Sequence, residues 1–283
     1  MRIRRVFVAL VVVALVPMTC AQLNSRRNNP NSDYNTDIAR GLITGHAVVH
    51  KFGKAGDVDA SDLADIWDGA TDTIAGFTKT LLYTYSTAAD IDTISSSSAS
   101  DTEIIEVQGL DEDWALVVQD ATLSGTAHIT LATPLIRVFR MKNVGDTDLV
   151  GNVFCYVEGT TTTPGIPDTE ADVRAIIQIG NNQTLMAQYT IPLGKSGYMK
   201  QLWASIAKAQ TQISTIQMFH RANPTGVFQL KHNSALSNIS PFALPFIIPL
   251  DGLPAMTDIR IQADSSAANG SISSGFEIEL IDD

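Results

Sequence analysis

Ile176 to Lys200, IIQIGNNQTLMAQYTIPLGKSGYMK, decides the fold class. Ile177, Ile179, Leu185, Ala187, Tyr189, Tyr198 and Leu202 recur at the spacing that puts alternate side chains on one face of a sheet. Pro192 lacks an amide donor and fixes φ, while Gly194 tolerates positive φ, so the chain turns between two strands. The stretch therefore predicts β-structure and contains no group suited to catalysis.

Working outward, the same pattern recurs in both directions. Upstream it marks strands at Leu82 to Tyr85, Glu103 to Gln108, Trp114 to Thr122, Ala127 to Leu131, Leu135 to Asn143 and Gly151 to Val157. Ser95 to Ser100 reads as a polar loop between the first two of these. Downstream, strands are expected at Lys200 to Ala207, Ser214 to Arg221, Val227 to His232, Phe242 to Pro249, Asp258 to Ala263 and Gly275 to Ile281. A short Ala/Gln helix over Ser205 to Thr215 is the second reading of that segment. Short strands with turns between them predict an all-β protein of two sandwich or jelly-roll-like domains. The run Thr160-Thr-Thr-Thr-Pro-Gly-Ile-Pro-Asp168 supplies the boundary, or else a long loop inside one sandwich. The expected layout is an apolar leader at 1–21, an arm with a short helix at 22–74, a sandwich at 75–159, a linker or loop at 160–175, and a jelly-roll-like sandwich at 176–283.

Composition agrees. Hydrophobic residues make up 45% of the 283 and charged residues 17%, enough for large cores without staples. A net charge of −11 opposes phosphate backbones, and no basic face with interleaved aromatics offsets it, so nucleic acid is not an expected partner. The two cysteines, Cys20 and Cys155, exclude a disulfide framework, and Cys155 reads as a small buried hydrophobe.

The N-terminal residues carry Arg2, Arg4 and Arg5, then an apolar run from Val6 to Val16, then Pro17 to Ala21. This layout fits a secretory signal, a retained apolar arm or a misassigned start codon. The run is short for a membrane span, so no membrane partner is expected unless the leader is kept as an anchor. Gln22 to Asn35 reads as a linker or an extended arm, and Asp37 to His50 as irregular.

Three groups of residues bear on chemistry. His46 and His50 stand four apart, but Ala47 occupies the place of a zinc protease's Glu, and Val48 and Val49 between them favour a strand. Asp57, Asp59, Asp62, Asp65, Asp68 and Asp72 lack the Gly and closing Glu of a calcium loop, so they read as an acidic turn with a helix capped at Ser61. His128, His220 and His232 fall on separate strands, Glu277 and Glu279 share one strand face, and no Gly-x-Ser-x-Gly elbow occurs. No catalytic, cofactor-binding or metal-binding residue is assigned, and no enzyme activity or cofactor is expected. Sequons at Asn182, Asn238 and Asn269 are what chance gives in a chain this rich in Asn, Ser and Thr.

The apolar segment Pro241 to Pro249 differs in kind. Prolines at 241, 245 and 249 bar a central position in a sheet, which makes it an edge strand with Phe242, Leu244 and Phe246 on one face. Those three are the expected interface residues, unless the face belongs to the chain's own core.

Ala39-Arg-Gly41, Asp65-Ile-Trp-Asp-Gly69, Val107-Gln-Gly-Leu-Asp111, Leu123-Ser-Gly-Thr126, Ile136-Arg-Val-Phe-Arg140, Asn182-Gln-Thr-Leu-Met-Ala187, Tyr189-Thr-Ile-Pro-Leu-Gly-Lys195 and Ser274-Gly-Phe276 occur in this order along the chain. In that order they resemble the β-rich virion structural proteins of tailed phages, especially marine ones. The resemblance implies a non-enzymatic head decoration, fibre or tail-associated subunit that forms a homo-oligomer, such as a trimer, and docks on other virion proteins. The leader is a departure from that family. It supports the alternative of a secreted bacterial β-sandwich that binds carbohydrate or assembles at the cell surface.

Overall fold

The computed structural model describes residues 33–60, 63–71, 74–207, 213–222, 224–237, 241–246, 252–266 and 270–283. The leader at 1–21, the arm up to residue 32, Ser61, Asp62, Asp72, Asn238, Pro249 and Asn269 lie outside them. The chain divides into two units, Met1–Thr44 and Gly45–Asp283. In the first, the one described element is helix α1 (Tyr34–Ala39), where Asp37 N–H donates to Asp33 O at 2.9 Å.

The second unit is built of antiparallel strands. In chain order they are β1 (His46–Val58), β2 (Ala64–Asp65), β3 (Ile91–Ser96), β4 (Ile104–Leu110), β5 (Leu116–Thr122), β6 (Ile129–Leu135), β7 (Arg137–Asn143) and β8 (Val153–Val157). There follow β9 (Val173–Ile177), β10 (Gln188–Thr190), β11 (Lys195–Ile206), β12 (Ile213–Arg221), β13 (Gln229–Ser237), β14 (Phe242–Pro245), β15 (Asp258–Ser265) and β16 (Gly270–Asp282).

The key to the topology is that β2 and β10 are two halves of one strand. Ala64 and Asp65 pair with Ala263 and Gln262, and Gln188 to Thr190 pair with Arg260 to Asp258, so both run along the same side of β15 in one direction. Ile66 N–H donates to Ile261 O at 2.9 Å, and Ala187 N–H donates to Ile66 O at 2.8 Å, where the halves meet. The chain leaves this strand after Ile66 and returns at Ala187. Gly53 on β1 makes the crossing fit: a Cβ there would lie 2.4 Å from Ile66 O and 2.5 Å from Ala187 N.

With β2 and β10 counted as the second strand, eight strands make two sheets, β1-β16-β11-β14 and β10-β15-β12-β13. Numbered along the chain, their orders are 1-8-3-6 and 2-7-4-5, the double Greek key of a jelly roll. Residues 67–186 form an insertion whose sheets are β6-β3-β8-β9 and β5-β4-β7. This is an all-β fold of sandwich type.

Several boundaries differ from the sequence reading. The stretch at 22–74 is not only an arm: β1 and β2 belong to the jelly roll, β1 pairing with β16 from His46↔Ile281 to Val58↔Gly270. The residues expected to form a helix after Ser61 include the strand β2, because Ala64 and Ile66 are drawn into the jelly-roll core. In the 160–175 run a loop leads to a one-turn 3-10 helix (Glu170–Asp172), and its last residues begin β9, which pairs with β8 in the insertion instead of opening the sandwich expected at 176–283. Leu82 to Tyr85 is not a strand, and β3 lies later, over part of the expected polar loop.

One apolar core draws on both sides of that loop, from Ile94 and Leu135 to Leu202, Ile261 and Phe276. A smaller cluster of Ile74, Phe77, Phe154, Tyr156, Val173 and Ile176 covers the other face of β8 and β9. Burial on both faces explains the unbroken run Val153 to Tyr156. Cys155 sits there fully buried, its thiol pushed up to about 12 by desolvation, which keeps it in the unreactive thiol form.

Candidate functional site

The jelly roll and the insertion meet around a buried carboxylate, Asp258, at the start of β15. Arg137 of β7 donates from Nε to Oδ1 at 2.9 Å and from Nη2 to Oδ2 at 3.2 Å. Arg221 of β12 donates from Nε to Oδ2 at 3.0 Å, and Thr190 of β10 donates from Oγ1 to Oδ1 at 2.6 Å. Asp258 is fully buried and Arg137 only 3% exposed. Two cations and a hydroxyl occupy the carboxylate's acceptor positions, which offsets the large cost of burying it. Arg137 Nη1 also donates to the carbonyl oxygens of Ser86 and Ile136, at 2.6 and 2.8 Å.

Aromatic rings pack against the cations. Tyr85 is shared by Arg137 and Arg221, with guanidinium carbons 5.0 and 4.8 Å from its centroid. Phe228 is shared by Arg221 and Arg260, at 4.5 and 3.9 Å. Ring faces at these distances attract the cations. Burial, and then the charge of Asp258, holds the Tyr85 phenol well above its ordinary range. With no free acceptor on Asp258 and Tyr85 kept neutral, this cluster is suited to holding two sandwiches together, not to proton transfer.

The acidic stretch is also structural. Lys79 Nζ donates to Asp57 at 2.7 Å and to Asp59 at 3.2 Å, and Tyr83 N–H donates to Asp65 Oδ2 at 2.7 Å. Asp68 accepts from Leu185 N–H across the doorway of the insertion. The expected solvated turn is therefore corrected: Asp57, Asp65 and Asp68 are buried and tie the split strand to its surroundings. Among the described residues, no group of three or more His, Cys, Asp or Glu is placed to hold a metal.

The histidines are dispersed. His46 and His50 lie on a strand, as the valines between them predicted; His46 Nδ1 is 2.8 Å from Glu279 Oε1, while His50 is exposed. His128 Nε2 meets Thr162 Oγ1 at 2.7 Å, and His232 Nε2 meets Ser234 Oγ at 2.6 Å. His220 lies buried at one end of the jelly roll. The amide of Asn182 is taken up by Asp148, Asn143 and Leu149.

Phe242, Leu244 and Phe246 stand where an edge strand puts them. Among the described residues β14 ends its sheet and pairs with β11 alone, Leu244 opposite Leu202 and Phe242 opposite Ala204. All three are half-buried; Phe242 and Phe246 pack on the core, and both rings lie against His232, at centroid distances of 6.1 and 6.5 Å. Sequence reasoning missed Arg137, Arg221 and Asp258, whose distant positions carry no shared local pattern.

No family model matches the chain, and no curated protein matches it. Among solved structures it is similar to infectious bursal disease virus of the Gx strain, with 11% identity and a TM-score of 0.22 over 83% of this chain and 70% of that one. It is also similar to the infectious bursal disease virus VP2 subviral particle, with 11% identity and a TM-score of 0.21 over 84% and 72%. Likeness at this level carries no argument about what this chain does.

Proposed function

We propose that this chain is a non-enzymatic structural subunit of a virus particle, acting by self-association and by docking on other particle proteins of a phage head or tail. The observation that carries this reading is the jelly roll with a whole second sandwich set into its second strand. Jelly rolls serve as shell and lectin modules, and here the chain offers sheet edges from two sandwiches. β14 and β1 end one jelly-roll sheet, and β5 ends a sheet of the insertion. On β5, Leu116 and Val118 are 50% and 57% exposed, an apolar pair that a neighbouring chain would cover. The half-exposed sides of Phe242, Leu244 and Phe246 are the jelly-roll contact of this reading, and a homo-oligomer such as a trimer the assembly.

Light scattering on the purified full chain, with mass spectrometry of purified particles, tests the proposal. An assembly of fixed stoichiometry, and high-copy peptides in particles, are expected. A monomer recovered only from culture supernatant or cell envelope overturns it in favour of a secreted surface protein. Phe246→Asp should give a folded chain that no longer assembles; an unaltered oligomer removes β14 from the contact.

A further inference from the structure

At the end of the jelly roll where β12 passes to β13, the two sheets part around a cavity of about 260 Å³. Among the described residues its lining comprises His220 and Ala222 at the end of β12, Gln229 and Lys231 of β13, and the 252–257 turn with Leu253, Pro254 and Thr257. The floor is buried: His220 is 4% exposed, Leu253 8% and Thr257 0%. The rim residues Ala222, Gln229, Lys231 and Pro254 are open to solvent.

His220 follows Ser214, Ile216 and Met218 on the inward face of β12, a position that would ordinarily be apolar. Its Nε2 is buried and has no hydrogen-bond partner. A buried ring nitrogen left in this way calls for a partner that the described residues do not supply. The hydroxyl of Thr257 is already engaged, donating to Pro254 O at 2.7 Å. Lys231 stands at the mouth, its ammonium donating to Gln229 Oε1 at 2.9 Å, and its charge reaches the imidazole. Among the described residues the cavity thus has the His220 ring nitrogen on its floor, the Lys231 cation at its rim, and walls of Leu253, Pro254 and Ala222.

We propose that this cavity binds a small organic monocarboxylate, its head accepting from His220 Nε2–H and Lys231 Nζ and its short hydrocarbon body lying on Leu253 and Pro254. Its volume equals that of roughly nine liquid waters, which suits a body of a few carbon atoms and excludes a long acyl chain. An aqueous filling would satisfy His220 but would leave the apolar walls wet and show no preference among solutes. The site is independent of the assembly reading.

The experiment titrates the full chain with sodium hexanoate, following the His220 ring resonances and the melting temperature, with hexanamide as the neutral match. Saturable binding of hexanoate, at least tenfold tighter than hexanamide, is expected. Lys231→Met, at an exposed position, should abolish that preference and leave the fold intact, and His220→Phe should fill the floor and remove saturable binding. No saturation at millimolar hexanoate, or equal binding of the amide, overturns the proposal. So does a Lys231→Met protein that keeps the tenfold preference.

Discussion

Asp258 and Asp65 lie on neighbouring strands of one sheet, both fully buried, yet they are held differently. Asp258 has two guanidinium partners and the Thr190 hydroxyl. Asp65 has one backbone donor, Tyr83 N–H, a side-chain contact with Gln262, and Arg260 only at 3.7 Å, and its Oδ1 has no partner among the described residues. Burial raises the Asp65 carboxyl to about 6, against the attraction of Arg260. The contrast teaches that depth alone does not set the cost of a buried charge. The number and geometry of its donors do.

The strongest way to break this comparison is Asp258→Ala, which leaves Arg137 and Arg221 facing each other without their anion. A loss of about 3–5 kcal/mol is expected from urea unfolding, the range for removing one partner of a buried pair. A loss below about 1 kcal/mol would mean that solvent or a neighbour replaces the carboxylate and that the contact is not what joins the sandwiches.

Asp65 should behave in the opposite way. Its folded pKa, about 6, stands above the ordinary 3.8, so its contribution to stability is fully present below 3.8 and is lost as pH rises through about 6. Asp65→Asn should flatten the stability profile between those values and raise stability at pH 7 by about 1–3 kcal/mol. Unfolding curves collected across that window check it; an unchanged slope would assign the raised value to some other group.

Glu279 sharpens the comparison at its mild end. It lies on β16 between His46, at 2.8 Å, and Lys200, at 2.8 Å, both partly exposed. His46→Ala should cost no more than about 1 kcal/mol, as for ion pairs near solvent, and His50→Ala less still. A double variant that loses a stoichiometric metal together with its fold would contradict the strand geometry described for the pair.

The strand content was legible from residue alternation. Ala187, Tyr189 and Leu202 are buried as the spacing required, Gly194 adopts φ of 75°, and β14 lies at an edge as its prolines required. Alternation failed where local chemistry replaced it. Ile179, read as inward, is 58% exposed beside the turn at Gly180. Ser95 and Ser96, read as the start of a polar loop, instead close β3: Thr93 bonds Asp92, Ser95 bonds Gly165, and Ser96 bonds Asp101, so the hydroxyls of the strand are satisfied inside the sandwich. Tyr83 and Tyr85, read as part of a strand, leave the sheets: Tyr83 meets Trp67 edge to face, and Tyr85 lies under the arginines.

By itself, then, the sequence determined that the protein is all-β, that Cys155 is packing and that Phe242 to Phe246 lie at an edge, because period-two burial and proline chemistry act over a few residues. Only the tertiary structure decided which strands share a sheet, that β2 and β10 are one strand opened by an insertion, and that Arg137 and Arg221 converge on Asp258. Those pairings join residues as distant in sequence as His46 and Ile281, or Arg137 and Asp258. Their free energy comes from burying apolar side chains of distant strands together and from pairing Asp258 with its arginines, against the cost of closing long loops, and no local pattern records it.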